Sequence, residues 1–149
     1  MTLLIKNATV YTMEKDGVLE NTDILIKDGK FSKLGKNLKV KADETLDATG
    51  LHVLPGLIDG HSHSGGFDIK ISNSDVNEFT EPCTPQMEAV NSINKLTPDF
   101  KHNKKTGTTS ICVVPGSSNV IGGLGVVLKT FGRTVDEMVV KNPAALKCA

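Results

Sequence analysis

The sequence predicts an α/β protein in which a small β-sandwich-like domain is followed by the opening of a strand–helix series. Two observations support this prediction. Residues 1–50 consist of short strand-forming runs separated by turn signals. Residues 51–149 begin with a continuous apolar run and then alternate helix-like and strand-like segments, which is typical of α/β proteins with a parallel sheet. We therefore expect two domains, 1–50 and 51–149.

The first domain is predicted from its turns and its strand-forming runs. Such runs lie at residues 3–11, 23–27, 30–34 and 44–48. The dipeptide Asp28-Gly29 joins the second and third runs, and glycine accepts the positive φ that a two-residue type I′ turn requires. We therefore expect a hairpin at this dipeptide and antiparallel β-structure throughout the domain.

The apolar run 51–58 opens the second domain. It is continuous rather than alternating, and such runs are typical of strands that are covered on both faces. Pro55 argues against a regular central strand along the whole run. We therefore place the strand mainly at residues 57–61.

Helix and strand signals then follow one another along the chain. Residues 64–82 are polar and predict a loop, and Thr84-Pro85 predicts the start of a helix over 85–95. Thr97-Pro98 repeats this start signal and Gly107 supplies a stop, which predicts a helix over 98–106. The β-branched run 108–114 predicts the next strand.

The last third of the chain continues this pattern. Residues 115–125 are predicted as loop and 126–130 as a strand. Thr134 and Glu137 have the spacing of a capping box, which predicts a short helix. Asn142-Pro143 is expected to begin an Ala-rich helix that runs to Ala149.

Composition and charge exclude several classes of protein. The chain of 149 residues has 17 basic and 17 acidic side chains, so its formal net charge is zero. This balance gives no reason to expect nucleic acid or an anionic membrane as a partner. Three scattered cysteines do not form a disulfide framework. We see no signal peptide and no apolar stretch of the ~18 residues that a membrane span needs, and we expect a cytoplasmic protein.

The motif Gly60-His61-Ser62-His63 carries the main functional prediction. On an extended strand, residues i and i+2 point to the same face and lie roughly 6.5–7 Å apart. The pair follows a buried strand, and the carboxyl ends of such strands form the active sites of parallel barrels. Imidazole nitrogen is a natural zinc ligand. A bare His-x-His pair is more often a surface or packing feature, but its position favours metal binding by His61 and His63.

Other polar residues are weaker candidates. Asp59 is a candidate second-shell residue that orients the backbone, against a purely structural role. Cys83 is the local residue that could complete a site. Asp68 and Asp75 are interpreted as solvated or capping carboxylates, and His102 as a solvated residue of a lysine-rich helix.

Several segments resemble one enzyme family. The segment 55–63 resembles the first-strand signature of the amidohydrolase superfamily. The segments 75–78, 115–123 and 139–149 are similar to a branch related to imidazolonepropionase-like amidohydrolases. The preceding small β domain also fits this family.

This resemblance implies a (β/α)8 barrel that holds one or two divalent metals, with His61 and His63 as ligands. Zinc is the expected ion, with iron or manganese as alternatives. A metal-bound water would attack a non-peptide amide, a cyclic amide or a related carbon of a small molecule.

A family barrel needs at least ~250 residues, and this chain is much shorter. The acid–base aspartate and the remaining ligands are therefore expected beyond Ala149, which makes this chain an N-terminal fragment that is inactive alone. The alternatives are a non-catalytic assembly or metal-binding module with the same fold, and an independent domain whose site Cys83 or a second chain completes. Since an incomplete barrel leaves strand edges uncovered, we expect a homo-oligomer or a self-associating fragment.

Overall fold

The chain forms two compact units, Met1–Pro55 and Gly56–Ala149, in a computed structural model that describes residues 1–67 and 74–149. Both units are mostly β, each built on one sheet, and helices are few. Within the described ranges, no helix combines the length and the apolar character needed to cross a membrane.

The first unit is a single five-stranded sheet. Its strands are β1 (Thr2–Tyr11), β2 (Val18–Lys27), β3 (Lys30–Gly35), β4 (Glu44–Asp47) and β5 (His52–Val53). The order is β3-β2-β1-β4, and β5 also pairs with β1. β1, β2 and β3 are antiparallel, whereas β4 and β5 run parallel to β1. The sheet is therefore mixed, and the expectation of a wholly antiparallel, sandwich-like domain is wrong, because residues 36–43 cross over from one edge to the far side of β1.

The predicted hairpin is confirmed at Asp28-Gly29. Both residues have positive φ, 50° and 74°, as a type I′ turn requires. Asp23 of β2 is 1% exposed, and its two carboxylate oxygens accept hydrogen bonds from the backbone N–H groups of Asn7 (3.0 Å) and Leu38 (2.8 Å). These bonds satisfy a buried charged group that would otherwise destabilise the unit.

The second unit is a four-stranded sheet in the order β6-β7-β8-β9. Its elements are β6 (Leu57–Ser62), a 3-10 turn (Ala89–Ser92), α1 (Pro98–Lys105), β7 (Thr108–Val113), β8 (Ile121–Lys129), α2 (Val135–Met138) and β9 (Val139–Cys148). β6 and β7 are parallel, so β6, α1 and β7 form one βαβ unit. The pairs β7–β8 and β8–β9 are antiparallel, so the expected βα series stops after one repeat in the part of the chain that the structure describes.

Four local predictions in this unit are wrong. The strand β6 is not covered on both faces, since residues 57–61 are exposed. The helix expected over 85–95 is only the 3-10 turn, and the loop expected over 115–125 gives way to β8 at Ile121. The Ala-rich helix expected from Asn142 is the strand β9, in which Leu146 pairs with Leu124 and Ala145 with Gly125. Backbone pairing with β8 outweighs the helical propensity of these alanines, because propensity is a weak local preference.

Two of the expected helix starts are present. α1 begins at Pro98 after Thr97, and α2 follows Thr134, whose Oγ1 accepts a hydrogen bond from the Glu137 backbone N–H at 3.3 Å. The core beneath both helices comprises Ala89, Phe100, Ile111, Val113, Val126, Leu128 and Met138. This core fixes α1 against the sheet that carries the histidine motif.

Candidate metal centre

His61 and His63 lie at the carboxyl end of β6. His61 is within the strand and His63 directly follows it. The pairing of β6 with β7 shifts by one residue between Asp59 and Ser62, a bulge of the kind that redirects side chains next to active sites. The centres of the two imidazole rings are 5.2 Å apart, and the ring planes are nearly perpendicular at 89°. The strand therefore brings the two predicted ligands together.

The His63 ring is oriented by the end of β7. Its Nδ1 lies 2.8 Å from the carbonyl oxygen of Val114. Because a carbonyl can only accept, Nδ1 is the donor, and in the neutral ring this leaves the lone pair on Nε2. Metal-binding histidines typically donate their second ring N–H to a carbonyl or carboxylate in this way.

His61 has a different environment. Its side chain is exposed, and its backbone N–H donates to Asp59 Oδ1 at 3.0 Å. Asp59 thus fixes the backbone that enters the motif. Asp59 also affects the neighbouring strand β7. The pKa of the Cys112 thiol is raised mainly by burial and to a lesser extent by the negative charge of Asp59.

Imidazole nitrogens are donors that a zinc-like ion accepts, at about 2.0–2.1 Å each. The ring centres of His61 and His63 are 5.2 Å apart, which is close enough for two imidazoles to share one ion. Within residues 1–67 and 74–149, however, no third His, Cys, Asp or Glu joins the pair in a cluster able to hold a metal.

The weaker candidates that the structure describes do not join the histidine pair in a metal-holding cluster. Cys83 is exposed and forms a β-bridge with Ile121, and His102 is exposed on α1. Asp75 is exposed, and its backbone N–H donates to the carbonyl of Gly66 at 3.0 Å. Asp68 lies outside the described residues.

A cleft of about 90 Å³ opens beside His63. Its lining residues include Asp75, Glu78 and Glu88, together with apolar groups of Met87 and Val113. Hydrogen bonds from the hydroxyl and then the backbone N–H of Thr80 lower the pKa of the Glu78 carboxyl. The cleft therefore presents carboxylates beside a histidine with a free ring nitrogen.

Pro115 of the loop between β7 and β8 and Gly122 at the start of β8 form another wall of this cleft. Asn119 holds this loop, since its Nδ2 donates to the carbonyl of Glu81, the Thr84 hydroxyl and the carbonyl of Ile121 at 2.8–3.2 Å. These bonds tie the loop to residues 81–84 and to the first residue of β8.

Sequence reasoning missed the residues that support the motif. Ser62 and Ser64 share a hydrogen bond of 2.9 Å between their hydroxyls, and Asn103 Nδ2 donates to Ser64 Oγ at 3.1 Å. The backbone N–H of Gly65 donates to Asp99 Oδ2 at 3.1 Å. One available signal was the spacing of Asp99 and Asn103, which share one face of α1. The hydrogen bond between His63 and the Val114 carbonyl could not be predicted from the sequence, because a backbone carbonyl is present at every residue.

Known proteins resemble this chain in sequence. A 5'-deoxyadenosine deaminase from Methanosarcina acetivorans is 46% identical over 63 residues, covering 42% of this chain and 15% of that protein. A dihydroorotase from Geobacter metallireducens is 34% identical over 143 residues, covering 89% of this chain and 33% of that protein. No family model matches the chain.

The structural comparison decides the family. An amidohydrolase from Thermotoga maritima superposes with a TM-score of 0.88 at 38% identity, covering 98% of this chain and 38% of that one. The chain belongs to the amidohydrolase superfamily. It spans between 15% and 38% of the length of these three superfamily members. None of the three is named as an imidazolonepropionase, so that branch of the superfamily stays a prediction.

Proposed function

We propose that this chain supplies two ligands, His61 and His63, to the metal centre of a hydrolase that cleaves a non-peptide C–N bond in a small molecule. The observation that carries the proposal is the His63 ring. Its Nδ1 is engaged by the Val114 carbonyl at 2.8 Å, and its ring centre lies 5.2 Å from that of His61. Nε2 of His63 is therefore free to bind an ion that both rings can reach.

The bound divalent ion, zinc by the chemistry of its imidazole donors with iron or manganese as alternatives, would polarise the substrate carbonyl and acidify a water molecule. His61 and His63 hold the ion. The Val114 carbonyl keeps the proton on Nδ1 of His63, and Asp59 fixes the backbone at His61. The cleft beside His63 gives a small substrate access to this point.

The relatives support a C–N bond as the target. They are named as a deaminase, a dihydroorotase and, at 46% identity over 63 residues, a D-hydantoinase from Geobacillus stearothermophilus. The target inside this class is an amide or cyclic amide. A catalytic zinc normally takes three protein ligands, and His61 and His63 would supply two of them, so the proposal requires an acid–base aspartate and further ligands besides this pair.

Three further expectations belong to the same proposal. The barrel that β6, α1 and β7 begin is completed by chain outside these residues. The enzyme works in the cytoplasm, and it belongs to the imidazolonepropionase-related branch. The rival is a non-catalytic assembly or metal-binding module with the same fold, of which the assembly module needs no metal at His61 and His63.

Metal analysis tests the ligand assignment. The zinc bound by the chain at a fixed free zinc concentration is compared with that bound by His61→Ala and His63→Ala. His102→Ala is the matched control, because His102 is an exposed histidine on another element. We expect both motif variants to lose the bound zinc and the control to retain it. Equal zinc content in all four proteins would remove the assignment and favour the non-catalytic rival.

A chimera tests the activity. This chain replaces the matching segment of the Thermotoga maritima amidohydrolase, over which the two superpose with a TM-score of 0.88. Ammonia release and ring opening are then measured on a panel of small amides and cyclic amides. We expect an active chimera, and substitution of either histidine by alanine should lower its rate by more than the ~10–100-fold that loss of an outer-shell partner costs. A folded, metal-loaded chimera without activity would contradict the catalytic role.

A further inference from the structure

The turn that follows the histidine motif is held by side chains of α1. Asn103 Nδ2 donates to Ser64 Oγ at 3.1 Å. Ser64 Oγ also accepts from the hydroxyl of Ser62 at 2.9 Å, and the backbone N–H of Ser64 returns a bond to Ser62 Oγ at 3.1 Å. The residues on both sides of His63 are therefore tied to each other and to the helix.

Gly65 is fixed from two sides. Its N–H donates to Asp99 Oδ2 at 3.1 Å, and its carbonyl accepts from the Asn94 N–H at 2.9 Å. A Cβ at this position would lie 3.1 Å from Cε2 of Phe100, so the backbone here rests directly against a core residue of α1. The turn has little room to move relative to the helix.

The helix face that makes these contacts differs from the rest of α1. Asp99 and Asn103 are one turn apart and share a face. Phe100, which lies between them in sequence, is 4% exposed. The lysines of the helix are exposed, at positions 101, 104 and 105. Asp99 and Asn103 therefore form hydrogen bonds with the turn, whereas the lysines of the helix face solvent.

We propose that Asp99 and Asn103 are positioning residues that hold the Ser62–Gly66 turn and thereby fix the direction in which His63 presents Nε2. The inference rests on the proposed role of His63 as a metal ligand. The physical reason is that the bond from His63 Nδ1 to the Val114 carbonyl sets the ring only while the backbone at His63 stays in place. The bonds from α1 supply that constraint.

Two measurements test this inference. In the metal-free chain, nitrogen NMR of the histidine rings at alkaline pH reports the tautomer. We expect His63 to hold the proton on Nδ1 in the parent, and a mixture of both tautomers in Asn103→Ala. Ser64→Ala removes the same hydrogen bond from its other end, together with the bond from the Ser62 hydroxyl, and should also give a mixture. Lys101→Ala, on the exposed face of the same helix, is the matched control and should leave the ring unchanged.

The second measurement is the affinity for zinc alone. Loss of an outer-shell partner typically weakens metal binding by about 10–100-fold, so we expect Asn103→Ala and Ser64→Ala each to raise the Kd about tenfold. Because Ser64→Ala already removes the bond from Asn103, the double variant should bind zinc no more weakly than Ser64→Ala alone. A purely structural role would lower stability but leave the ring tautomer and the Kd unchanged in the folded variants.

The outcomes separate the two proposals. If zinc binding does not depend on His61 and His63, the proposed function fails, while the tautomer of the metal-free chain still decides the role of α1. If zinc binding depends on both histidines but Asn103→Ala and Ser64→Ala keep a pure Nδ1–H tautomer and the parent Kd, the positioning role is overturned. If one variant does not fold, the other gives the same test.

Discussion

Gly65→Ala offers a quantitative test of how tightly α1 is packed against the turn. Gly65 has a φ of +88°, and a Cβ there would lie 2.9 Å from Ile93 Cγ2 and 3.1 Å from Phe100 Cε2. The left-handed backbone costs a residue with a side chain about 1–2 kcal/mol. The extra methyl against the core costs a further ~1–3 kcal/mol as overpacking. We therefore expect Gly65→Ala to lower the free energy of unfolding by about 2–5 kcal/mol.

Gly107→Ala is the matched control in the same unit. Gly107 has a closely similar φ of +82°, but a Cβ there would meet nothing within 4 Å. This variant carries the backbone cost without the packing cost, so the difference between the two isolates the methyl contact. Any gain from restricting the unfolded chain applies to both and cancels.

Native-state hydrogen exchange at β7 amides is the suitable assay, because it reports the opening of the second unit by itself. We expect the opening free energy at Ile111 to fall by about 1–3 kcal/mol more in Gly65→Ala than in Gly107→Ala. Equal losses in the two variants would refute the close packing of Gly65 against Ile93 and Phe100.

Three other outcomes are expected. Arg133 lowers the pKa of the Glu137 carboxyl through a side-chain bond first and a backbone bond second. The pair therefore stabilises the fold above the ordinary carboxyl pKa of about 4.3, and the stability difference between parent and Arg133→Ala should vanish as pH falls through the lowered pKa. Burial and Asp59 raise the pKa of the Cys112 thiol, so in thiol-labelling rate profiles Asp59→Asn should move the Cys112 profile to lower pH. Ile58, on the edge strand β6, is 77% exposed, so Ile58→Lys should reduce self-association in analytical ultracentrifugation.

Each of these expectations has a contrary result. If the stability difference between the parent and Arg133→Ala stays unchanged down to about pH 3, the Arg133–Glu137 pair does not account for it. If the Cys112 labelling profile is the same in the parent and in Asp59→Asn, the electrostatic effect of Asp59 on the thiol is refuted. A parent chain that sediments as a monomer at high concentration would remove the edge-pairing argument for β6.

The local signals in the sequence predicted the elements that local chemistry determines. The Asp28-Gly29 turn follows from the backbone freedom of its residues. α1 follows from Thr97-Pro98 at its start and Gly107 after its end, and α2 follows from the bond between Thr134 and Glu137. Each of these features depends on groups within a few residues of one another, so no tertiary information was needed.

The errors lie where distant pairing outweighed local preference. β9 contains the Ala-rich run that favours a helix, but its backbone groups pair with β8. β4 is parallel to β1 because a crossover brings it there. A propensity of a few tenths of a kcal/mol per residue cannot compete with a complete set of strand hydrogen bonds.

For the candidate site, the sequence by itself determined the two histidines, since residues i and i+2 of one strand are neighbours wherever that strand lies. Only the tertiary structure decided what holds them. The Val114 carbonyl reaches His63 across 51 positions of sequence, and Asn103 reaches Ser64 across 39. Such partners are set by how β6, α1 and β7 pack together, because hydrogen-bond geometry depends on the distance in space between two groups and not on their separation along the chain.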